Sequence, residues 1–459
     1  MINIKNKNIT VLGAKRSGIA VAKLLAHFGA EVLLSDINEN AIDKNTINSL
    51  EKIGINIELG KHGDDIFLSD MIILSPGIPS TIQIVESMSI AGVPILSEIE
   101  MAYELTDSKI IAITGSNGKT TTTELITDIL NKSDVPAVAC GNIGLAFSEA
   151  IYNSLNEKNK PVFVVEISSF QLENILNFKP NIALLLNITP DHLDRYDSFE
   201  DYANTKARIF ENQNENDIAI INSDDKESII FTNPQSEIIN ISMKEKVNKL
   251  AYFDDNYFNF FINSKWHRLE IDEIKLIGEH NKYNILFAFI ASQSFIKNEF
   301  GTKKSLSTFK AIEHRIELCG EIDGVKFYND SKATNTDSVK VALKSFNNPI
   351  HLILGGKDKD TNFSDLQNLI DEKVKTVYSI GETSKKIESQ LNNIELVDSK
   401  SLENAMKKAL QNANQNEIIL LSPASSSYDQ YKNFEKRGED FKRIFNNLKK
   451  EKNTNESNK

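Results

Sequence analysis

A chain of 459 residues with 40% hydrophobic and 25% charged residues has ordinary globular composition, and its length suggests about three domains. Its 52 basic and 64 acidic residues give a net charge of −12, which disfavours a nucleic-acid partner. The two cysteines lie far apart, which argues against a disulfide framework or a zinc site, and no apolar run is long enough for membrane insertion. The charge and the cysteine usage fit a cytoplasmic enzyme. We also expect a monomer that acts on small molecules.

Residues 1–97 alternate predicted strands with glycine-containing turns. The stretch Ile9–Gly18 predicts a strand, a turn and a helix, and the next strand ends at Asp36, as in nucleotide-binding βαβ units. Lys15 replaces the middle glycine of that fingerprint, so a plain packing turn is an equal alternative. Strand-then-turn patterns recur up to residue 97. We interpret this region as a small α/β domain that cradles a nucleotide diphosphate.

The stretch from Ile110 to Glu124 reads Ile-Ile-Ala-Ile-Thr-Gly-Ser-Asn-Gly-Lys-Thr-Thr-Thr-Thr-Glu. A β-branched run ends at a glycine turn, and a lysine and hydroxyls then open a helix, so backbone N–H groups and a helix N-terminus converge. In such a cradle Lys119 would contact the outer phosphates of a nucleotide and Thr120 would hold Mg²⁺. Position 113 is Ile where the strict pattern has glycine, so the loop is shortened. A plain glycine turn before a helix is the alternative.

Two further predicted strands lead to polar side chains. The strand 161–166 ends at Glu166, and the strand 181–187 is followed by His192. Because the carboxyl ends of parallel strands meet at one edge of a sheet, we expect both side chains near Lys119. The alternatives are a carboxylate that caps a neighbouring group and a histidine in solvent.

A helix is predicted at 198–210, where Ser198 and Asp201 resemble a capping box and apolar residues share one face. Lys206 lies on that apolar face, and a lysine there usually extends to the surface. Residues 251–271 predict a hairpin in a small antiparallel sheet, after which a helix begins near His280 and Asn281. These two residues either contact a base or cap the helix.

The last part of the chain predicts a third, doubly wound α/β domain, with strands near residues 325, 350, 376 and 417 and helices between them. Polar loops follow the strand ends at 329–335, 355–359 and 422–428. The tail from about residue 449 is too polar to pack, and we expect it to be disordered.

Seven loops carry recognisable signatures: Gly115-Ser-Asn-Gly-Lys-Thr-Thr, Glu166-Ile-Ser-Ser-Phe-Gln-Leu-Glu, Asp191-His-Leu-Asp-Arg, His280-Asn-x-x-Asn, His314-Arg, Asn329-Asp-Ser-Lys-Ala-Thr-Asn and Ser422-Pro-Ala-Ser-Ser-Ser-Tyr-Asp-Gln. Together they resemble the Mur ligase family, which builds the peptide of bacterial peptidoglycan, over nearly the whole chain. The resemblance implies three α/β domains: a Rossmann-like UDP-binding domain at 1–97, a P-loop ATPase-like domain with a small antiparallel sheet at 98–311, and a Rossmann-like domain at 312–459.

The resemblance also implies an activity, that of an ATP-dependent acid–D-amino-acid ligase of peptidoglycan synthesis, and hence a role in cell wall biogenesis, cell shape and cell division. The loop 329–335 resembles that of members which add D-glutamate to UDP-N-acetylmuramoyl-L-alanine through an acyl phosphate. The implied cofactors are ATP, Mg²⁺ at two sites, and a CO₂-derived carbamate on Lys206.

The family's functional residues map onto positions of this sequence. The implied catalytic residues are Lys119, Glu166, His192 and Lys206, and the implied metal ligands are Thr120, Glu166, His192 and Lys206. The implied ATP contacts are Gly115, Ser116, Asn117, Gly118, Lys119, Thr120, Thr121, Asn281, His314, Arg315, Asp330 and Lys332. The implied contacts to the UDP-substrate are Arg16, Ser17, Asp36, Gly77, Asn142 and His192, and those to D-glutamate are Thr334, Lys359, Ser427 and Phe434.

Two departures from the family pattern affect these assignments. Lys15 and Arg16 bring two cations into a loop where small or apolar residues are expected, and Asp360 follows Lys359 where a small residue is usual. Three alternative functions remain: a sibling ligase that adds another amino acid, a dinucleotide oxidoreductase that uses residues 1–97, and a non-enzymatic ATP switch.

Overall fold

The computed structural model describes residues 2–79, 81–191, 195–244, 250–276, 278–309, 313–358 and 361–457. The chain divides into two compact units. The first contains Met1–Ile274 and Lys282–Thr308, and the second contains Lys275–Asn281 and Phe309–Lys459. None of the helices described is long and apolar enough to cross a membrane.

The first unit begins with a five-stranded parallel sheet. Its strands are β1 Asn8–Leu12, β2 Glu31–Asp36, β3 Ile55–Leu59, β4 Met71–Leu74 and β5 Ile95–Ser97, in the order β3-β2-β1-β4-β5. Helices α1 Arg16–His27, α2 Lys44–Glu51 and α3 Gln83–Ile90 and a 3₁₀ turn at Asp64–Leu68 connect them. The strand order reverses between β1 and β4, so the turns after these two strands border the crevice where ligands bind in such sheets.

A second parallel sheet of the first unit carries the predicted phosphate loop. Its strands are β6 Ile110–Thr114, β7 Ala137–Gly141, β8 Val162–Glu166, β9 Ile182–Leu185, β10 Ile218–Asn222 and β11 Glu237–Ile241, in the order β11-β10-β9-β6-β8-β7. Its helices are α4 Glu98–Glu104, α5 Lys119–Lys132, α6 Phe147–Ser154, α7 Ser169–Leu172, α8 Phe199–Ala207 and α9 Lys226–Ile230, with a 3₁₀ turn at Arg208–Phe210. Every residue of β6 and β8 is buried, as in parallel strands covered on both faces.

The predicted hairpin is confirmed as part of a three-stranded antiparallel sheet. Its strands are β12 Ala251–Phe253, β13 Tyr257–Ile262 and β14 Lys265–Glu270. Asn263 and Ser264 form the turn between β13 and β14, with φ of +49° and +60°, which suits the twist of a two-residue hairpin. A 3₁₀ turn at Ile271–Glu273, α10 Glu279–Ser292 and α11 Phe300–Thr308 follow.

The second unit is built on a mixed sheet. Its strands are β15 Glu317–Ile322, β16 Val325–Asn329, β17 Ile350–Gly355, β18 Val374–Ile380, β19 Glu395–Lys400 and β20 Ile418–Leu421, in the order β15-β16-β20-β17-β18-β19. Its helices are α12 Thr336–Lys344, α13 Gln367–Lys373, α14 Ser384–Gln390, α15 Leu402–Asn412 and α16 Phe434–Ser457, with a 3₁₀ turn at Phe363–Leu366.

The prediction of a doubly wound C-terminal domain holds for five of these strands but not for the edge strand β15. β15 runs antiparallel to β16, whereas the other neighbours are parallel. The cause is the Asp323–Gly324 turn, where both residues have positive φ and reverse the chain within two residues.

The predicted disordered tail is wrong through Ser457, because α16 continues to that residue. Leu448, immediately before the polar stretch, is buried, and Lys452 pairs with Asp323 at the tip of the β15–β16 hairpin. A helix already packed by its apolar face therefore continues into residues that would not form a core by themselves.

The expected boundary at residues 97 and 98 falls between the last strand of the first sheet and α4. One hydrophobic core nevertheless contains residues from both sides of it, such as Val21 and Leu24 of α1 and Phe147 and Ala150 of α6. The boundary therefore stays a prediction, and the one expected at 311 and 312 lies outside the described residues.

Candidate active site

The predicted phosphate loop lies between the fully buried strand β6 and helix α5, as the sequence indicated. Gly115 and Gly118 have φ of +149° and +88°, and a Cβ on Gly118 would lie 2.6 Å from Asn284 Oδ1. The left-handed conformation and the close neighbour both require glycine at position 118. The N-cap residue of α5 is Gly118, which has no side chain to cap the helix that begins at Lys119. Its first backbone N–H groups therefore suit an anion.

The loop is held in place from the neighbouring strand end. Ser116 N donates to Asn187 O at 2.9 Å, and Asn117 N donates to Asn187 Oδ1 at 2.8 Å. The Ser116 hydroxyl lies 2.9 Å from Thr189 O and 3.0 Å from the Tyr202 hydroxyl. These contacts fix Ser116 and Asn117 before any ligand arrives, so the predicted ATP contacts start from an ordered loop.

Lys119 and Lys206 converge on one carbonyl oxygen of this loop. Lys119 Nζ donates to Gly115 O at 2.7 Å and to Ser116 O at 3.0 Å, and Lys206 Nζ donates to Gly115 O at 3.1 Å. Thr120 and Thr121, the next residues of α5, are buried beside them. Lys206, which the sequence places on the apolar face of a helix, therefore lies beside the phosphate loop.

Lys206 does not extend to the surface, so that alternative is wrong. Only 2% of the side chain is exposed, and Nζ lies 4.6 Å from the centre of the Tyr202 ring. Burial, and then the charge of Lys119, hold the pKa of Lys206 well below the usual lysine value, although Asp191 and Glu166 act in the opposite direction. The amine is therefore neutral far more readily than that of a surface lysine.

Glu166 ends β8 at the same edge of the sheet and is 2% exposed. Its Oε1 accepts a hydrogen bond from Asn142 Nδ2 at 2.9 Å, whereas Oε2 is buried and has no hydrogen-bond partner among the described residues. A buried carboxylate oxygen without a partner is costly, and a hard cation such as Mg²⁺ would satisfy it. The site therefore fits the expected metal. His192, another of the four expected ligands, lies outside the described residues.

A cavity of ≈ 270 Å³ lies at the crevice of the first sheet. Every predicted contact to the UDP-substrate that the structure describes lines it: Arg16, Ser17, Asp36, Gly77 and Asn142. Gln171, which was not predicted, lines it as well. The turns after β1 and β4 form one wall, and the loop after β7 forms another. Asn142 therefore joins the cavity wall to Glu166, because it lines the cavity and donates to Glu166 Oε1.

The atypical loop 13–18 is well ordered around this cavity. Asp36 Oδ2 accepts from Ala14 N at 2.8 Å, and the Ser75 hydroxyl donates to Gly13 O at 3.0 Å. Arg16 reaches across the cavity and donates to Gly144 O at 2.6 Å and to Asn142 O at 3.3 Å. The two cations of the loop thus lie at the cavity, where an anionic diphosphate would be attracted.

In the second unit, the predicted ATP contacts Arg315 and Asp330 are close enough for their charges to interact. Asp330 is buried, accepts from the Ser422 hydroxyl at 2.7 Å and from Ile316 N at 3.2 Å, and follows β16. Burial raises the pKa of Asp330 to about 7, although the Ser422 hydrogen bond and the charge of Arg315 lower it. Lys332 Nζ lies 5.6 Å from the centre of the Phe434 ring, which belongs to the predicted D-glutamate set.

His314 has a structural position that the sequence did not indicate. It is 4% exposed, its Nδ1 lies 2.9 Å from Asn329 Nδ2, and its backbone has φ of +65°. A Cβ on Gly438 would lie 2.2 Å from His314 Nδ1, so α16 packs directly on the ring. The imidazole therefore packs between β16 and α16, and burial lowers its pKa.

The other predicted residues of the second unit follow the ends of β16 and β20. Thr334 is half-buried in the loop before α12, Ser427 is buried in the loop after β20, and Phe434 begins α16. Ser331 Oγ donates to Phe434 O at 2.8 Å, which joins two of these segments. Asn281 lies in the first turn of α10, and Lys359 lies outside the described residues.

Two family models and several relatives match this chain. Residues 113–292 match the Mur ligase middle domain, and residues 314–425 match the Mur ligase glutamate ligase domain. A UDP-N-acetylmuramoylalanine–D-glutamate ligase from Koribacter versatilis is 41% identical over 447 residues, covering 96% of this chain and 98% of the relative. The enzyme of the same name from Caldicellulosiruptor bescii is 39% identical, covering 97% and 99%.

The chain belongs to the Mur ligase family. Among solved structures, a pseudomurein peptide ligase from Methanothermus fervidus has a TM-score of 0.62 and is 19% identical, covering 97% of this chain and 100% of the other. A UDP-N-acetylmuramate–alanine ligase from Thermotoga maritima has a TM-score of 0.59 and is 18% identical, with the same coverage. At such identities these structures support the fold of this Mur ligase and nothing finer.

Sequence reasoning about this Mur ligase missed residues whose partners are distant in the chain. Arg437 is 1% exposed and donates to Ser331 O at 2.9 Å and to Ser425 O at 3.0 Å, so it joins the loops after β16 and β20. Asn284 and Tyr202 contact the phosphate loop in the same way. Only Asn284 had a signal, as the last residue of the His280-Asn-x-x-Asn motif.

Proposed function

We propose that this Mur ligase joins D-glutamate to UDP-N-acetylmuramoyl-L-alanine at the expense of ATP. One observation carries the proposal: Asn142 lines the cavity at the crevice of the first sheet and donates to Glu166 at the phosphate-loop edge. A UDP-substrate in that cavity would therefore lead its reacting end toward the place where phosphate is bound. The printed names of the relatives that match over almost the whole chain support the same choice of substrates.

The proposal divides the chain into a UDP-binding region at 1–97, an ATP-binding region at 98–311 and an amino-acid-binding region at 312–459. The crevice between β1 and β4 supports the first assignment, and the loop 115–121 supports the second. The third rests on Thr334, Ser427 and Phe434 and on the expected role of Lys359.

The chemistry follows from the poor reactivity of a carboxylate, whose leaving group would be oxide. Transfer of the γ-phosphoryl group of ATP to the terminal carboxylate gives an acyl phosphate and ADP. The amine of D-glutamate then attacks the carbonyl carbon, loses a proton, and phosphate leaves as the amide forms. The protein has to position the reactants and neutralise charge, for which the α5 N-terminus and Lys119 are suited.

Thr120 and Glu166 would hold Mg²⁺, with His192 and a modified Lys206 as further ligands, and the metal would neutralise charge on the phosphates. The unpartnered Glu166 Oε2 supports this set. Lys206 enters it only as a carbamate, because an ammonium is no metal ligand. Its burial and lowered pKa support that modification, since only the neutral amine attacks CO₂.

The proposal is tested by phosphate release from ATP with UDP-N-acetylmuramoyl-L-alanine and a panel of amino acids. D-Glutamate should give the fastest turnover, and L-glutamate is the matched control for stereochemistry. Faster turnover with L-alanine or a diamino acid would make the enzyme a sibling ligase. ATP hydrolysis that needs no UDP-substrate would instead favour an ATP switch.

A further inference from the structure

Two of the signature motifs extend beyond the residues used above. The motif that begins at Glu166 contains Phe170 and ends at Glu173, and the motif that begins at Asp191 ends at Arg195. These side chains assemble into one cluster on the first unit, together with Tyr196. None of them belongs to the proposed contacts with ATP, metal or D-glutamate.

Arg195 is held firmly at the centre of this cluster. Its guanidinium carbon lies 4.0 Å from the centre of the Phe170 ring, and Nη2 donates to Glu173 Oε2 at 2.8 Å. The Tyr196 hydroxyl donates to the other oxygen, Oε1, at 2.9 Å. With only 23% of its side chain exposed, Arg195 has its plane and its direction fixed before substrate binds.

The other terminal nitrogen of the Arg195 guanidinium, Nη1, reaches a turn of the first sheet. Nη1 donates to Pro76 O at 3.3 Å, and Pro76 lies in the Ser75–Ile78 turn that lines the UDP-substrate cavity. Arg16 makes the opposite connection, from the first sheet to the carbonyls after β7. Two arginines therefore connect the two sheets of the first unit, in opposite directions, around one cavity.

The base of the cluster is joined to the phosphate loop. Tyr196 packs on Tyr202 with ring centres 5.5 Å apart, and the Tyr202 hydroxyl lies 3.0 Å from Ser116 Oγ. A continuous series of side-chain contacts thus runs from the cavity wall at Pro76 to Ser116.

We propose that Arg195 is a positioning residue that fixes the Ser75–Ile78 turn relative to the phosphate loop, and so sets where the UDP-substrate lies. This inference rests on the proposed function. Arg195 contacts no substrate itself in this assignment: it acts by holding the Pro76 carbonyl. Its loss should weaken binding of the UDP-substrate and misalign the reacting carboxyl, while ATP, bound on the other side of Ser116, should be affected little.

Arg208 provides a matched control. It also donates to backbone carbonyls of the same segment, those of Leu172, Glu173 and Ile175, but within the described ranges none of its hydrogen bonds reaches the first sheet. Arg208→Ala therefore removes an equally well-bonded arginine without touching the connection to Pro76.

The experiment measures the Kd of UDP-N-acetylmuramoyl-L-alanine by calorimetry, the KM of ATP, and the melting temperature for wild-type, Arg195→Ala, Arg195→Lys and Arg208→Ala proteins. Arg195→Ala should raise the Kd about tenfold, with the KM of ATP changed by less than about twofold. Arg195→Lys keeps a charge for Glu173 but has no second nitrogen for the Pro76 carbonyl. It should therefore also bind the UDP-substrate weakly, while it melts near the wild-type temperature. Arg208→Ala should lower the melting temperature and leave the Kd unchanged.

Three results would overturn the inference: wild-type affinity in Arg195→Ala, an equal loss of affinity in Arg208→Ala, or a parallel rise in the KM of ATP. If Arg195→Ala does not fold, wild-type affinity in Arg195→Lys overturns it. Wild-type protein that binds no UDP-N-acetylmuramoyl-L-alanine overturns the proposed function as well, whereas failure of the Arg195 variants alone leaves the ligase assignment intact.

Discussion

Replacing Glu166 with glutamine should stabilise the metal-free protein and abolish its response to Mg²⁺. The substitution preserves the shape of the side chain and the acceptor for Asn142 Nδ2, but removes the charge. In the structure that charge is 2% exposed, and Oε2 has no hydrogen-bond partner among the described residues. We therefore expect the native side chain to destabilise the protein unless a cation binds to it.

The size of the effect follows from that unpartnered oxygen. A buried polar atom without a partner costs about 1–3 kcal/mol, and more when it is charged. The amide leaves a neutral unpartnered group in its place, so we expect a net gain of about 1–2 kcal/mol in the free energy of unfolding. Since 1 kcal/mol shifts Tm by about 2–4 °C in domains of 150–250 residues, Tm should rise by about 2–8 °C. Turnover should fall at least about a hundredfold.

Glu100 is a matched control, because it is an equally buried carboxylate whose oxygens are both satisfied. Oε2 accepts from the N–H groups of Leu176 and Phe178, and Oε1 accepts from that of Asn177, all at 2.8–2.9 Å. In Glu100→Gln either orientation of the amide places its NH₂ against a backbone donor. The free energy of unfolding of this variant should therefore be lower than that of wild type by about 2 kcal/mol. The same chemical change is thus expected to raise the free energy of unfolding at position 166 and to lower it at position 100.

The assay is differential scanning calorimetry of both variants, with and without Mg²⁺ and ATP. Wild-type protein should gain stability from the ligands, Glu166→Gln should gain little, and Glu100→Gln should gain as much as wild type. A lower Tm of metal-free Glu166→Gln would mean that the charge is structural. Full ligand stabilisation of the same variant would mean that Glu166 is no metal ligand.

Three further predictions concern lysines and a carboxyl group with unusual surroundings. ¹³C-bicarbonate added to the Mg²⁺- and nucleotide-bound enzyme should give a carbamate signal that Lys206→Met lacks; full activity in CO₂-free buffer would contradict it. Because the pKa of Asp330 rises from 3.8 to about 7, the native state retains a proton that the unfolded chain has lost. The free energy of unfolding should therefore fall as the pH rises from about 4 to 7. Asp330→Asn should lack this decrease, and melting experiments across that pH range would measure the difference. Lys332→Ala should lower kcat but leave the Kd of the UDP-substrate unchanged in calorimetry, because the cavity is lined by first-unit residues.

Residues whose function depends on their position along the chain could be predicted from the sequence. The phosphate loop follows a strand and opens a helix, so its backbone geometry is a local property of Gly115, Gly118 and Lys119. Glu166 is the last residue of a strand, and parallel topology brings such strand ends to one edge without any knowledge of side-chain contacts. The same reasoning placed Ser427 and Asp330 after the strands of the second unit.

Residues whose function depends on distant partners could not be predicted in this way. Arg437 looks like an ordinary cation of a charged helix until its carbonyl partners in two other loops are known. His314 carries a family signature, yet its burial against Gly438 is decided by the packing of α16. The antiparallel edge strand β15 was missed for a similar reason, because a single tight turn sets its direction.

Helical periodicity predicted the helix face on which Lys206 lies, but not the burial of its side chain. Helical spacing placed it on the apolar face of α8, but the same spacing fits a lysine that extends past that face into solvent. The distinction depends on what lies beyond the face, and here it is the phosphate loop, whose Gly115 carbonyl accepts from Nζ. Sequence could therefore identify the residue but not its environment, and it is the environment that lowers the pKa.

The cations of the loop 13–18 illustrate the opposite case, in which a departure from the family pattern has a structural reason. Arg16 uses its guanidinium to hold the carbonyls of Asn142 and Gly144, and a planar group with five donors can make those bonds and still present N–H groups to an anion in the cavity. A small residue at this position would leave those carbonyls without this donor. Arg16 therefore fits both roles at once, joining the two sheets of the first unit and lining the cavity in which the diphosphate is proposed to bind.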